Sequence, residues 1–487
     1  MIPHWKRSAA ELAGDVSAGR ADAVEILDAH RAQAARWDPA VHALLGRDDE
    51  AARRVASSRP QGPLAGVPFI AKDNLCTRGL RTTCGSRILE PYVPPYDATV
   101  IARLRAAGAV LYAKANCDEF AMGSSMENSA FGPSRNPYDL ERVPGGSSGG
   151  SAVATATGMG TFALGSETGG SVRQPASFTN LVGLKPTYGR LSRYGLVAFG
   201  SSLDQVGVFA RSVADCALVF SVMAGPDEND MTTRPDGAFS LDGLDVSARA
   251  GKGLAIGVPR NILAEGLHPE VQAAQARAEE ALGRAGVRVK EVHLVPPAAC
   301  VATYYLLATA EASSNLARFD GVRYGFRAQL ADDLLSLYTK TRGQGFGSEV
   351  KRRILLGTFA LSAGYYDAYY RKALQARRRI RSDLHAALSG VDALLLPTAP
   401  TPAFRLGEKA TDPLAMYLSD IFTIGANLAG IPALNVPCGF TADGLPVGMQ
   451  LVGPAQGEGT LFRLGAALES ALGGERRWPE LAVGAAS

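Results

Sequence analysis

Residues 143–175 read VPGGSSGGSAVATATGMGTFALGSETGGSVRQP. Taken alone, so dense a run of Gly and Ser has the composition of a solvated, flexible tether. Two features oppose that reading. Apolar residues at helical spacing follow the first Gly/Ser cluster at once, and a second Gly-Gly-Ser closes the segment. The rest of the chain has to decide between a linker and a site.

Gly145-Gly146-Ser147-Ser148-Gly149, and the frame one residue later, match the G-x-S-x-G nucleophile elbow. That motif needs a late histidine with an acid before it. The histidines are His4, His30, His42, His268, His293 and His385, and each sits in a helix-like or charged surface context. A phosphate loop fits poorly as well, because no Lys-Ser or Lys-Thr follows the glycines at the required spacing. Ser348 and Lys351 form a lone S-x-x-K without its KTG partner.

A serine nucleophile without histidine needs another base, and lysine neutralised by burial is the remaining candidate. Lys72 ends the apolar run VPFIAKDN, where it is either a lysine snorkelling from a strand end or a buried amine. To act as a base near neutrality its pKa must fall by ~3 units from ~10.4, a cost of roughly 4 kcal/mol. Desolvation in an apolar site supplies a shift of that size. Glycines then let a serine hydroxyl approach the amine closely. A Thr-Gly-Gly turn after the strand-like TFALGS aims several amide N–H groups at one point, as the oxyanion of acyl transfer requires.

Lys72, PGGSSGGSAVATATG and GSETGGSVRQPA, with Ser147 and Ser171 24 positions apart, together resemble the amidase signature family. The resemblance implies Ser171 as nucleophile, Ser147 as the bridging serine reached through a cis peptide, and Lys72 as base. It also implies an oxyanion hole of the Thr168, Gly169, Gly170 and Ser171 amides. Further segments, among them NCDEFAMGSSMENSAFGPSRNPYD, EASSNLARFDGVRYG and DPLAMYLSDIFTIGANLAGIPALNVPCG, resemble the glutamine-hydrolysing A subunits of tRNA-dependent amidotransferases within that family. This implies glutamine as ammonia donor, with Arg353 on its α-carboxylate, Asp420 on its α-amino group and Tyr304 lining the pocket. A planar cationic fork and a carboxylate suit a zwitterion. Without the resemblance, Arg353 in EVKRRI reads as a solvated charge, Asp420 reads equally as a helix cap or a ligand carboxylate, and Tyr305 competes with Tyr304. The resemblance further implies partner B and C subunits in a heterotrimer, and Glu-tRNA(Gln), with or without Asp-tRNA(Asn), as the complex's substrate. ATP and Mg²⁺ belong to the B subunit, no cofactor or metal to this chain. The alternative is a stand-alone amidase of the same family acting on small amides.

The wider sequence accommodates this. Strand-like and helical patterns alternate: VPFIAK, the capped helix DATVIARLRAAG, AVLYAK, SAVATATGMG, TFALGS, HPEVQAAQARAEEALGRAG, VRVKEVHL, DALLLP and VGMQLVG. The fold class expected is α/β, one large amidase-signature domain over 1–487 with a central mixed β-sheet between helix layers. Its parts are N-terminal helices at 1–60, opened by a Ser8/Glu11 capping box and running through about Leu45, a catalytic core at 61–225, a helical elaboration at 300–372 and a C-terminal part of the core at 390–487. With 46% hydrophobic residues the chain can bury a large core, and 50 basic against 47 acidic residues give no argument for nucleic acid. Six cysteines without a CxxC pair indicate reduced, mostly buried thiols. The absence of a signal h-region and of a membrane-length apolar run gives cytoplasmic as the expected location.

Overall fold

The protein is described here by a computed structural model covering residues 2–263, 266–473 and 477–480; the end of the expected C-terminal part lies outside the described residues. The N-terminal half contributes strands Leu44–Arg47 (β1), Pro68–Lys72 (β2), Val110–Ala115 (β3), Phe162–Glu167 (β4), Val182–Lys185 (β5) and Gln205–Ala210 (β6). The remainder contributes Ala255–Val258 (β7), Arg288–Glu291 (β8), Ala393–Pro397 (β9), Ala433–Phe440 (β10) and Pro446–Val452 (β11). All eleven join one sheet in the order β1-β3-β2-β4-β6-β5-β10-β11-β9-β7-β8. It is mixed: β3, β2 and β4 run parallel, as do β9, β7 and β8 at the far end, with antiparallel pairs between them and β1 antiparallel on the outer edge of β3.

The strands β2, β3 and β4 have no exposed residue, as a sheet covered on both faces requires. Their side chains alternate between two cores. Phe69, Ala71, Phe162 and Leu164 enter one. Ile70 and Ala163 enter the other, with Ala152 and Val153 of the helix Gly149–Ala156. Period-two alternation thus places helix layers on both sides. The Gly/Ser segment supplies one of these helices and the strand after it, so it is core and not a tether.

Two local expectations need correction. The N-terminal helices do not run through Leu45, because the chain turns at His42 (φ 50°) and enters β1, which pairs with β3. The helix Thr99–Ala106 lacks a side-chain cap; Asp97 instead accepts from the Arg78 amide at 2.8 Å. The Ser8/Glu11 capping box forms as read. Residues 304–370 are mostly helical: Pro297–Asn315, Leu334–Gly345 and Ser348–Leu361, then a wider turn at Asp367–Arg371. Gly347 donates its amide to Glu119 Oε2 at 2.8 Å, which ties the start of the Ser348–Leu361 helix to the core. All six cysteines are buried and free. Among the described residues no helix is long and apolar enough to cross a membrane.

Candidate active site

Because β2 and β4 are parallel neighbours, their carboxyl ends open on one side of the sheet, where α/β proteins place ligands. Lys72 is the last residue of β2 and is 0% exposed, so its amine does not reach solvent. Its Nζ lies 2.7 Å from Ser147 Oγ, 2.8 Å from Ser148 Oγ and 3.4 Å from the Ser166 carbonyl. These contacts fix what the amine can do. Ser148 Oγ donates to Ser166 O at 3.0 Å, so toward Lys72 it accepts, as the Ser166 carbonyl does. A neutral amine has two N–H groups and one lone pair. Two acceptors use the N–H groups, which leaves the lone pair directed at Ser147. Ser147 Oγ meets no hydrogen-bond partner besides Lys72 among the described residues, so its hydroxyl proton is free to move along this contact.

Burial pushes the Lys72 amine down to about 8, and the Cys117 thiol and the Asp118 and Asp204 carboxylates oppose that shift. The shift is in the direction the base role requires, toward a neutral amine near physiological pH.

Ser147 follows Gly146 through a cis peptide, as the resemblance implied. A Cβ on Gly146 would press on Asp118 Oδ2 and stand 2.7 Å from the Ser125 amide, so this position has no room for a side chain. Ser171 is 8% exposed and lies across from Ser147: its carbonyl accepts the Ser148 amide at 3.2 Å. The structure brings Lys72 and Ser147 into hydrogen-bond contact. It sets Ser171 beside them, and Ser171 Oγ makes no hydrogen bond to Ser147.

The turn before Ser171 is held from both ends. Glu167 Oε2 accepts the Val172 and Arg173 amides at 3.0 Å each, and its Oε1 accepts Arg173 Nε at 2.9 Å. Arg173 is 0% exposed and also donates to the Thr423 carbonyl and Asn427 Oδ1, at 2.9 and 2.6 Å. Thr168 Oγ1 donates to Asp204 Oδ1 at 2.6 Å, and Thr423 Oγ1 to the Gly169 carbonyl at 2.7 Å. Within this clamp the amides of Gly169, Gly170 and Ser171 have no hydrogen-bond acceptor among the described residues. Three consecutive unpaired donors beside a serine hydroxyl suit a developing oxyanion.

Neighbouring side chains explain both glycines. A Cβ on Gly169 would stand 2.8 Å from Tyr304 Cζ; one on Gly170 would stand 2.5 Å from Asp420 Oδ1. Asp420 therefore faces the nucleophile turn and caps no helix. Ser124 Oγ donates to its Oδ2 at 2.5 Å, while Oδ1 is buried without a partner. Burial raises its carboxyl to about 7, with Ser124 working against the shift and Glu167 adding to it. Arg353 is 3% exposed, not solvated. Its Nε donates to Glu349 Oε1 at 2.7 Å, and Phe199, Tyr305 and Tyr417 surround the guanidinium. The two tyrosines divide the space: Tyr304 meets Gly169, while Tyr305 stacks on Tyr417 at 3.8 Å beneath Arg353.

Ser148, Asp118, Glu167, Arg173, Ser124 and Glu349 escaped the sequence reading. Glu167 and Arg173 flank TGGS, and an acid and an arginine bracketing such a turn was the available signal. Asp118 and Ser124 come from a distant segment, and Ser148 and Glu349, though close in sequence to Ser147 and Arg353, are unremarkable in the runs that hold them. No histidine joins the site: His30, for example, engages the Gly158 carbonyl at 2.8 Å and Thr161 Oγ1 at 3.1 Å. Among the described residues no cluster of three potential ligands could hold a metal ion.

The profile of the Amidase family matches residues 25–462. The A subunit of the glutamyl-tRNA(Gln) amidotransferase from Moorella thermoacetica is 55% identical over 477 residues, 96% of this chain and 95% of that protein. The crystal structure of a protein of the same name from Thermotoga maritima superimposes with a TM-score of 0.82 at 42% identity, covering 99% of each chain. The peptide amidase of Stenotrophomonas maltophilia also superimposes, with a TM-score of 0.82 at 31% identity, over 99% of this chain and 100% of that one.

Proposed function

The chain belongs to the amidase family, and from that premise we propose that it is the glutamine-hydrolysing component of a glutamyl-tRNA(Gln) amidotransferase. The family likeness, and the identity to amidotransferase A subunits along nearly the whole chain, support an amidohydrolase working within a multisubunit amidotransferase. The observation that carries the chemistry is the buried Lys72 amine within hydrogen-bond distance of Ser147 Oγ, 2.7 Å away.

In the proposed reaction, Ser171 Oγ attacks the side-chain amide carbon of glutamine. Its proton passes to Ser147 Oγ as the Ser147 proton moves to Lys72. The amides of Thr168 through Ser171 hold the oxyanion, and collapse of the tetrahedral intermediate returns a proton to the leaving nitrogen, which departs as ammonia. Water then attacks the Ser171 ester, again losing its proton through Ser147, and glutamate leaves. Arg353 takes the α-carboxylate with the guanidinium N–H groups that Glu349 leaves free, and Tyr304 closes the pocket beside Gly169. The unpaired Asp420 Oδ1 receives the α-ammonium, whose charge draws the Asp420 proton off.

The complex is read as a heterotrimer with B and C subunits in the cytoplasm, where its tRNA substrate resides. The B subunit uses ATP and Mg²⁺ to activate the glutamyl group of Glu-tRNA(Gln), and this chain supplies the ammonia. Glutamine-dependent Gln-tRNA formation then requires this chain and the partners together. Turnover of simple aryl or fatty amides by the chain alone, unresponsive to partners, would instead establish a stand-alone amidase like the peptide enzyme it resembles. Arg353→Ala is expected to raise the glutamine KM by about 10²-fold, the loss of a charge-assisted bidentate contact, with ammonia-dependent amidation by the complex unchanged. Equal loss with both donors would remove Arg353 from the binding site.

A further inference from the structure

A polar cavity of about 370 Å³ lies away from the catalytic residues and within the size range of small-ligand sites. Arg234, Arg377, Arg378, Arg381 and His385 line it, together with Tyr188. Arg377, Arg381 and His385 stand four residues apart on the helix Lys372–Leu388 and so share one face. Arg234 reaches the same space from the irregular segment after the Val213–Met223 helix. A basic helix face alone is ordinarily solvated, but here the charges converge from separate parts of the chain around one volume.

The charges are not balanced locally. Arg234 is paired with Asp236 at 2.6 Å. Arg377 is half-buried and donates to neutral oxygens, the Leu428 carbonyl at 2.9 Å and Ser202 Oγ and O at 2.7 and 2.9 Å. The carboxylate nearest to it in effect is Glu311, which accepts the Ser202 amide and hydroxyl at 2.8 and 2.6 Å and so is separated from Arg377 by that serine. Arg378 and Arg381 have no carboxylate partner among the described residues; Arg381 Nε approaches His385 Nε2 at 3.5 Å. Two carboxylates thus answer four guanidinium groups; burial pushes the Arg377 pKa down, and Glu311 works against that shift.

We infer that this cavity is a binding site for a phosphate-class oxyanion. Planar guanidinium forks match tetrahedral oxyanions, and an anion here replaces the missing counter-charge. A free phosphate and the phosphodiester of an RNA strand present the same chemistry. The inference is independent of the glutaminase reading, since binding is measured without turnover.

Isothermal titration of the full chain at low ionic strength with inorganic phosphate, and separately with a short single-stranded RNA, tests it. Wild type is expected to bind phosphate saturably at one site. Arg378→Ala/Arg381→Ala, two exposed helix positions, is expected to bind at least about tenfold more weakly with an unchanged thermal melt. RNA that competes with phosphate identifies a backbone phosphate as the source, and phosphate binding untouched by RNA identifies a free anion. No saturable phosphate binding, or equal affinity in the double variant, overturns the assignment.

Discussion

Ser171→Ala lowers glutamine hydrolysis by at least about 10⁴-fold while leaving the chain folded. The substitution removes one oxygen that makes no hydrogen bond to Ser147 and sits at 8% exposure, so the clamp around it is undisturbed. The Ser171 carbonyl still accepts the Ser148 amide, Glu167 still accepts the two amides that follow, and the three N–H groups remain without an acceptor among the described residues. What disappears is the atom that forms the acyl bond. Residual rate then comes from the oxyanion donors and substrate positioning, which in serine hydrolases supply the roughly 10³–10⁴-fold that survives loss of the nucleophile. Ammonia release measured on purified variant, beside its thermal melt, is the check. In the complex, external ammonia is expected to restore amidated tRNA formation, because only the ammonia source has been lost. Hydrolysis within about tenfold of wild type would show that another group attacks the amide.

The contrast between what the sequence told and what it concealed has a physical basis. The sheet was legible because strands covered on both faces are continuous apolar runs, and VPFIAK, AVLYAK and TFALGS are such runs closed by glycine or charge. The strand β1 was not: it is four residues long with Gly46 inside and only Leu44 fully buried, so it follows a helix without any change of pattern. Lys72, Ser147 and Ser171 stood out because a lysine at the end of an apolar strand and two Gly-flanked serines are each anomalous for the composition around them. The parts that tune those residues are ordinary in sequence. Ser148 looks like one more member of a Gly/Ser run, yet by donating to Ser166 it becomes an acceptor for Lys72, so that in the neutral amine the lone pair is left for Ser147. Asp420 in YLSDIF and Ser124 in MGSSM lie 296 positions apart, and only the folded chain shows that one holds the other. The resemblance to the family supplied Arg353, and the fold supplied the reason it is usable. Its Nε is occupied by Glu349 and its face by Tyr305 and Tyr417, so its remaining N–H groups are the ones presented.

Lys72→Met is the most demanding test, because it keeps the length and apolar character of the side chain and deletes only the titrating group. Loss of the general base in such a unit is expected to cost at least about 10³-fold in kcat, with little change in KM, since Lys72 contacts Ser147, Ser148 and Ser166 and no part of the proposed glutamine pocket. Stability is expected to hold or rise, as an amine whose pKa is depressed by burial opposes folding wherever it is protonated. The pH profile of the wild type separates this role from a structural one. The reactive form carries neutral Lys72, its pKa is about 8, and the neutral fraction therefore climbs about tenfold per pH unit below that value and levels off above it. Hydrolysis at saturating glutamine should follow the same curve, rising from about pH 6 to 8 and flattening by about pH 9. Saturation matters, because Asp420 is raised to about 7 and must be ionised to hold the α-ammonium, so at low glutamine a second rise near pH 7 appears in kcat/KM. In Lys72→Met the residual rate loses the limb near pH 8 and keeps the one near pH 7. A wild-type kcat independent of pH between about 6 and 9 would mean that the Lys72 amine is not the group that takes the proton.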